Sequence, residues 1–255
     1  MSLAIILAGG TGSRIKSADI PKQYIEVGGR PVISYVLETT LSVPGITALA
    51  VVADAAWQER IRYALADEIE ALCLSAENAG ISYTESPELS SLKAKMLFAD
   101  PGENRQLSIL NGLRALAANG AGEDDLVAVI DAARPNMSID LLKAVYAAAE
   151  PCDGALPVLP MKDTVYLSDG GERVSSLLPR EQVFAGQAPE VFRFGKYLEA
   201  NKRLLPDEIL KIHGSTEPAI MAGMDIAMIP GDEANYKITT DADLIRFREE
   251  IEKKR

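Results

Sequence analysis

Several short segments of the chain set glycines, acids and cations at spacings that suit phosphate chemistry. The first is Leu7-Ala8-Gly9-Gly10-Thr11-Gly12-Ser13-Arg14, directly behind an apolar run. Glycines there let backbone N–H groups turn inward and approach phosphate oxygens closely. Arg14 adds a permanent charge with several donors. The same pattern also serves as a plain tight turn between strand and helix, so by itself it does not discriminate. It is a poor dinucleotide fingerprint, because a loop carrying Lys16, Pro21 and Lys22 comes before any helix, and no Gly-Lys-Ser/Thr of a Walker loop is present. Next come Pro21-Lys22-Gln23-Tyr24 and Gly28-Gly29-Arg30-Pro31, with Lys22 on a loop able to fold back over the glycine turn. A loop lysine is usually just solvated. Beside Arg14, it supplies what phosphoryl transfer needs: cations that neutralise charge on the transferred phosphate.

Further along, Val129-Ile130-Asp131-Ala132-Ala133-Arg134-Pro135 places an acid at the end of an apolar run. Ligands of open α/β sheets gather at the carboxyl ends of strands, where an aspartate can bind Mg²⁺. The commoner role of such an Asp is a turn or helix cap, and Arg134 then reads as the pair that holds the loop. Gly102-Glu103-Asn104-Arg105 leads into a helical pattern containing Ser108 and Asn111, a turn that suits a base or a phosphate as well as any βα loop does. Asn235-Tyr236-Lys237-Ile238-Thr239-Thr240 carries Lys237 near the end of an expected strand.

The elements that must position these residues alternate along the chain. Leu3–Ala8, Ala48–Val52, Ile81–Thr84, Leu126–Ile130, Gly154–Pro157 and Asp225–Ile229 read as strands. Pro31–Thr40, Trp57–Ala76, Gln106–Ala118 and Ile139–Ala149, the last capped by Ser138, read as helices. A final helix starts near Thr240, with Asp243 three residues on as an acidic variant of a capping box. Alternation of this kind predicts an α/β fold built on a mainly parallel sheet. Residues 161–186 break the pattern: they alternate, turn at Asp169-Gly170-Gly171, and read as a β-arm leaving the sheet. The expectation is one domain over residues 1–255, with the arm packing on a partner subunit.

Composition narrows the function. A net charge of −11 over 255 residues repels phosphate backbones, which argues against nucleic-acid binding. No apolar run approaches membrane-spanning length, and the apolar start lacks a basic flank, so neither a membrane role nor a signal peptide is expected. Cys73 and Cys152 stand far apart without a partner motif, so they read as core residues of a cytoplasmic protein, not as a disulfide or zinc framework.

Taken in order, Ala8-Gly9-Gly10-Thr11-Gly12-Ser13-Arg14, Pro21-Lys22-Gln23-Tyr24, Asp131-Ala132-Ala133-Arg134-Pro135, Asp163-Thr164, Gln187-Ala188-Pro189-Glu190 and Asn235-Tyr236-Lys237-Ile238-Thr239 resemble one family. It is that of the cytidylyltransferases acting on 2-C-methyl-D-erythritol 4-phosphate or ribitol 5-phosphate, and the match runs from residue 3 to about residue 250. The resemblance implies a Rossmann-like nucleotidyltransferase fold, three layers αβα with a twisted, mostly parallel sheet. It implies a homodimer in which each β-arm completes the other subunit's site. It also implies CTP as co-substrate, Mg²⁺ as cofactor and a phosphorylated polyol as acceptor. Arg14, Lys22 and Lys237 would be the catalytic cations around the triphosphate. Ala8, Gly9, Gly10, Thr11 and Gly12 would cradle the nucleotide. Gly102 and Ser108 match the cytosine-recognising turn, supported by Arg105. Asp131 would hold the metal, with Ala132 beside it. Arg134, Asp163, Thr164, Arg180 and Thr216 would face the acceptor. No nucleophilic Ser or Cys is required, and the single histidine, His213, is not needed as a base, because a phosphate dianion is already nucleophilic.

Three departures from the family pattern stand out, and the first two lie around the acceptor rather than around CTP. Gln187-Ala188-Pro189 replaces a common Gln-Thr-Pro, removing one hydroxyl from the acceptor side. Gly214-Ser215-Thr216-Glu217-Pro218-Ala219 replaces a Thr-Asp-Glu/Asp-Ala segment, also on the acceptor side. Ala234 stands where an acid is usual, with Asp232 or Glu233 as stand-ins. Acceptor identity therefore stays open between an alditol phosphate, towards which the Leu-Ala-Gly-Gly start leans, and methylerythritol phosphate. The segment between Glu85 and Asp100 has no assigned role. Two other classes fit less well: a CTP-binding regulatory module without turnover would not need both lysines, and the glycine spacing disfavours an NAD-dependent enzyme.

Overall fold

The computed structural model describes residues 1–10, 15, 17–63 and 96–253. Thr11, Gly12, Ser13, Arg14, Lys16, Cys73, the expected strand Ile81–Thr84, the far part of the expected helix Trp57–Ala76 and most of the 85–100 segment lie outside the described residues. The strands are β1 (Ser2–Leu7), β2 (Glu26–Val27), β3 (Arg30–Pro31), β4 (Ile46–Val52), β5 (Met96–Ala99), β6 (Leu126–Asp131), β7 (Gly154–Pro160), β8 (Val165–Leu167), β9 (Ser176–Leu178), β10 (Phe184–Gly186), β11 (Glu190–Arg193) and β12 (Ile226–Pro230). The main sheet runs β5-β4-β1-β6-β11-β7. Strand β12 lies parallel to β7 and overlaps the residues that pair with β11, which puts it on the opposite edge of β7. Among the described strands of this sheet, only β10 and β11 run antiparallel to their neighbours.

Period-two alternation along β1 sorts the core. Ala4 and Ile6 face a layer that holds Ile33, Val36 and Leu37 of the helix Val32–Leu41 and Leu142, Val145 and Tyr146 of the helix Ile139–Ala149. Leu3 and Ile5 face the opposite layer, with Ile109, Leu110 and Leu113 of the helix Arg105–Ala118 and Tyr197 and Leu198 of the helix Phe194–Lys202. The result is the expected three-layer α/β arrangement, with a buried central sheet because both faces carry helices. The final helix, Asp241–Lys253, caps a smaller cluster through Leu244 and Phe247. Its start is a reciprocal box: Thr240 Oγ1 accepts from Asp243 N at 3.3 Å, while Asp243 Oδ2 accepts from Thr240 N at 2.8 Å. Ser138 caps its helix as expected, accepting from Leu141 N at 3.1 Å.

Other elements depart from the sequence expectation. The helix expected from Trp57 already includes residues 55–63 within the described region. Strand β11 and the helix Phe194–Lys202 carried no clear period in so short a run and were not expected. Phe184–Gly186, expected as the last part of the arm, instead pairs with Val158–Pro160 and returns to the main sheet. What protrudes is the two-stranded β8–β9 pair, Val165↔Leu178 to Leu167↔Ser176, which leaves Tyr166, Leu167 and Leu177 exposed. Cys152 is half-buried on a turn, not in the core. No helix among the described residues is long and apolar enough to cross a membrane.

Candidate active site

Register alone brings the key loops together. Leu7 is paired with Val52 on one side and Asp131 on the other, and Val52 with Ala99. The chain therefore leaves β1, β4, β5 and β6 at one edge, the carboxyl edge where α/β sheets bind ligands. A cavity of about 580 Å³ opens there, lined by Gly9, Gly10, Lys22, Gly102, Arg105, Ser108, Asp131, Ala132 and Lys237 among others. Among the described residues, three cations and three acids line it. Asp54 and Glu103 are exposed and their charge is screened by water. Asp131 is buried, and Arg105 and Lys237 converge on it.

Asp131 Oδ1 pairs with Arg105 Nη2 at 3.1 Å, and Oδ2 with Lys237 Nζ at 3.0 Å and Arg134 Nε at 3.3 Å. Burial alone would push this carboxyl up. Arg105, Lys237 and Arg134 outweigh it and hold the group well below the usual carboxylate range. Arg105 is stabilised as the cation by Asp131 and Glu190 against its own burial. Asp131 is therefore ionised at neutral pH, and one negative charge organises three positive ones. Lys237 does not sit at a strand end as the sequence implied. It lies on an irregular segment pinned by Ile238 N to Ala133 O at 2.8 Å and by Asn235 Nδ2 to Ala188 O at 2.8 Å. Backbone bonds to the loop after β6 are what carry the lysine to Asp131.

Residues 8–10 are held from behind by Gln23 and Tyr24, motif residues to which the sequence assigned no role. Gln23 Nε2 donates to Ala8 O at 2.5 Å and Gly10 O at 2.8 Å, and Tyr24 Oη donates to Ala8 O at 2.9 Å. Both side chains are buried, so Gln23 and Tyr24 act as a clamp that fixes the turn and places Lys22 at the cavity. Gly9 has a further reason to be glycine: a Cβ there would stand 2.5 Å from Pro101 Cβ on the loop after β5.

At the far wall, Asn104 caps the helix Arg105–Ala118, its Oδ1 accepting from Leu107 N at 2.8 Å. Ser108 Oγ accepts from Gly102 N at 3.0 Å and donates to Asn104 O at 2.9 Å, which closes the turn on itself. A Cβ on Gly102 would collide with Leu107 Cβ and stand 2.8 Å from Leu107 C. Gly102→Ala is therefore expected to open this turn and weaken CTP binding about tenfold, at the low end of overpacking costs. Calorimetric titration with CTP checks it, and unaltered affinity would remove the turn from the nucleotide site.

Of the residues expected at the site, Ala8 is buried just behind the turn and the rest of the described nucleotide set lines the cavity. Arg105 turns away from the Gly102 turn towards Asp131. Arg134, an expected acceptor contact, does not line the cavity and instead ties Asp131 to Asn235 O at 2.6 Å. Thr216 donates to Glu190 Oε1 at 3.3 Å. Asp163, Thr164 and Arg180 are exposed on or near the arm and do not line the cavity, with Arg180 Nη1 on Lys162 O at 2.9 Å. Glu233, one proposed acidic stand-in, pairs with Lys162, while Asp232 accepts from Ala234 N at 2.8 Å. Asp54, at the carboxyl end of β4, was legible by the same reasoning as Asp131 but was not singled out.

A magnesium ion can be tested against these donors. Among the described residues no group of three acid, His or Cys side chains is arranged around a metal. Mg²⁺ commonly uses one or two carboxylates plus substrate phosphates and waters. A carboxylate offers about four lone-pair positions, and the three cations on Asp131 leave room on Oδ1. The donor set fits an ion that takes most of its ligands from a nucleotide.

The chain is similar to proteins of one family. The family model described as IspD, 2-C-methyl-D-erythritol 4-phosphate cytidylyltransferase, matches residues 2–251. The chain is 33% identical over 246 residues to the 2-C-methyl-D-erythritol 4-phosphate cytidylyltransferase of Dechloromonas aromatica, covering 94% of this chain and 93% of that one. It is 31% identical over 242 residues to the bifunctional enzyme IspD/IspF of Bradyrhizobium diazoefficiens, covering 95% of this chain and 54% of the relative. The chain thus spans about half the length of such bifunctional relatives. The crystal structure of 4-diphosphocytidyl-2C-methyl-D-erythritol synthase from Anaerococcus prevotii is similar with a TM-score of 0.74 at 23% identity, covering 98% of this chain and 96% of that one, a likeness of fold.

Proposed function

This chain belongs to the 2-C-methyl-D-erythritol 4-phosphate cytidylyltransferase family, and we propose that it transfers CMP from CTP to methylerythritol 4-phosphate with release of pyrophosphate. The observation that carries this is the convergence of Lys22, Arg105 and Lys237 on one cavity whose floor is the ionised Asp131. Such a site receives a triphosphate and counters charge building on its α-phosphate. An oxygen of the acceptor phosphate attacks that phosphorus in line, the bond to the bridging oxygen breaks, and pyrophosphate departs. The acceptor phosphate enters as an anion, so no general base is needed. Lys22 and Lys237 hold the phosphates, with Arg14 as a third catalytic cation. Gly9, Gly10, Gly102 and Ser108 orient the nucleotide. Asp131 would hold Mg²⁺ together with the phosphates of CTP, and the ion when bound supplies further charge neutralisation.

The named relatives weigh for methylerythritol phosphate over the alditol phosphate to which the opening residues lean. The exposed apolar side chains of the β8–β9 arm support a homodimer, since a lone two-stranded ribbon is marginal in water and such a patch calls for cover. In that dimer Asp163, Thr164 and Arg180 reach the acceptor in the partner's site. Thr164→Ala and Arg180→Ala are then expected to raise KM for the acceptor about tenfold, the loss of one charge-assisted hydrogen bond, with KM for CTP nearly unaltered. Steady-state kinetics with each substrate varied decides this, and an effect confined to CTP would move both residues out of the acceptor site.

The decisive assay incubates the protein with CTP, Mg²⁺ and either methylerythritol 4-phosphate or ribitol 5-phosphate and measures pyrophosphate. Release with the first alone is the expected result. Release with the second alone would name an alditol enzyme. CTP binding without release from any polyol phosphate would favour a nucleotide-binding module.

A further inference from the structure

A second carboxylate, Glu190, is half-buried near Arg105 and takes no part in the transfer described above. It opens β11 and pairs in register with Val129, two residues before Asp131 on the neighbouring strand. Among the described residues no lysine or arginine comes within ion-pair distance of it. Its partners are two hydroxyls: Ser215 Oγ donates to Oε2, and Thr216 Oγ1 donates to Oε1 at 3.3 Å. An acid so placed is costly to keep desolvated, and burial raises its carboxyl above the ordinary range despite the pull of Arg105 and Ser215.

What Glu190 organises follows from proton counting. A serine hydroxyl has one hydrogen to give and two lone pairs to receive with. Ser215 gives its hydrogen to Glu190, so its oxygen faces Arg105 only as an acceptor, and Arg105 Nη1 donates to it. The other arm of the same guanidinium, Nη2, reaches Asp131 Oδ1 at 3.1 Å. A guanidinium held at one nitrogen keeps rotamer freedom. Held at two, its planar fork is fixed.

We propose that Glu190 is a positioning residue: by taking the Ser215 hydrogen it turns the lone pairs of that oxygen towards Arg105 and locks Arg105 against Asp131 in the triphosphate cavity. Its effect on CTP binding rests on the function proposed above, whereas its effect on Arg105 does not. Both are therefore measured. Side-chain NMR relaxation of Arg105, recorded without substrate, reports the lock directly, and calorimetry reports CTP affinity. Glu190→Ala and Ser215→Ala are each expected to mobilise the guanidinium and to weaken CTP binding about tenfold, as loss of a hydrogen bond to a charged group does. The double variant is expected to be no worse than either single one, because both changes break the same chain of contacts. Glu190→Gln is expected to restore rigidity and affinity to within about threefold, since its amide oxygen still accepts from Ser215 and its amide nitrogen can donate to Thr216. If Glu190→Ala does not fold, Ser215→Ala and Glu190→Gln carry the test. An Arg105 that stays rigid in Ser215→Ala overturns the proposal, as does a Glu190→Gln protein as mobile as Glu190→Ala. A wild-type protein that shows the rigid Arg105 but makes no pyrophosphate would overturn the proposed function and leave the lock standing.

Discussion

Asp131→Asn is expected to lower stability and turnover together while tightening the binding of metal-free CTP. The carboxylate is buried and compensates Arg105, Arg134 and Lys237 at 3.0–3.3 Å. Removing one partner of a buried charge cluster costs about 3 kcal/mol, because the remaining charges are left uncompensated. For a chain of this size that is roughly 6–12 °C in melting temperature. The sign of the pH dependence follows from the direction of the shift. The folded-state carboxyl is held below its unfolded value, so its stabilisation is fully present above the unfolded pKa of about 3.9 and is lost as pH falls through the lower folded value. The deficit of the variant should be constant around neutrality and shrink only in strong acid. Three cations without their counter-charge make the cavity more positive, which favours a bare triphosphate. Turnover should nonetheless drop about 10²-fold, since charges aimed by Asp131 are no longer aimed. Thermal melts, metal-free CTP titration and pyrophosphate release measure the three effects. Unaltered melting would mean that Asp131 is not the organising charge.

Lys237→Ala should act almost purely on chemistry. Its side chain is one-third exposed, and Asp131 keeps Arg105 and Arg134 without it, so a stability loss of about 1 kcal/mol or less is expected. The ammonium, by contrast, is a fixed charge inside the site proposed for the triphosphate, and removing such a group lowers turnover by about 10²–10³-fold. Lys22→Ala, in the same cavity, should cost about 10²-fold or more for the same reason. A melting temperature close to wild type with kcat reduced and KM for CTP little altered is the pattern to look for in Lys237→Ala. If kcat were unaffected, Lys237 would be a structural partner of Asp131 and nothing more.

Both expectations turn on a residue the sequence already singled out, and the reason is local. Asp131 ends an apolar strand, and a charged residue at the carboxyl end of a buried run has few roles besides capping and ligand binding. The helix caps at Ser138 and Thr240, and the helical periods expected over Ile139–Ala149 and Gln106–Ala118, were legible for the same reason: each depends on residues a few positions apart. Strand β11 was not, because four residues inserted antiparallel between β6 and β7 show no usable period. Nor was the clamp of Gln23 and Tyr24 on Ala8, which arises only once the loop has folded back.

From the order of its residues alone, then, this chain determined its alternating βα architecture, its acidic surface and the set of motifs that marks its family. Local periodicity and short motifs carry that information, since they depend on neighbours along the chain. Tertiary structure decided which groups meet. Lys237 and Arg105 reach Asp131 because β6 lies beside β1 and because Ile238 is bonded to the loop after β6. Glu190 and Ser215 join them only because β11 is slotted next to β6. Strand order and long-range backbone bonds set those distances, and neither leaves a trace in the spacing of residues.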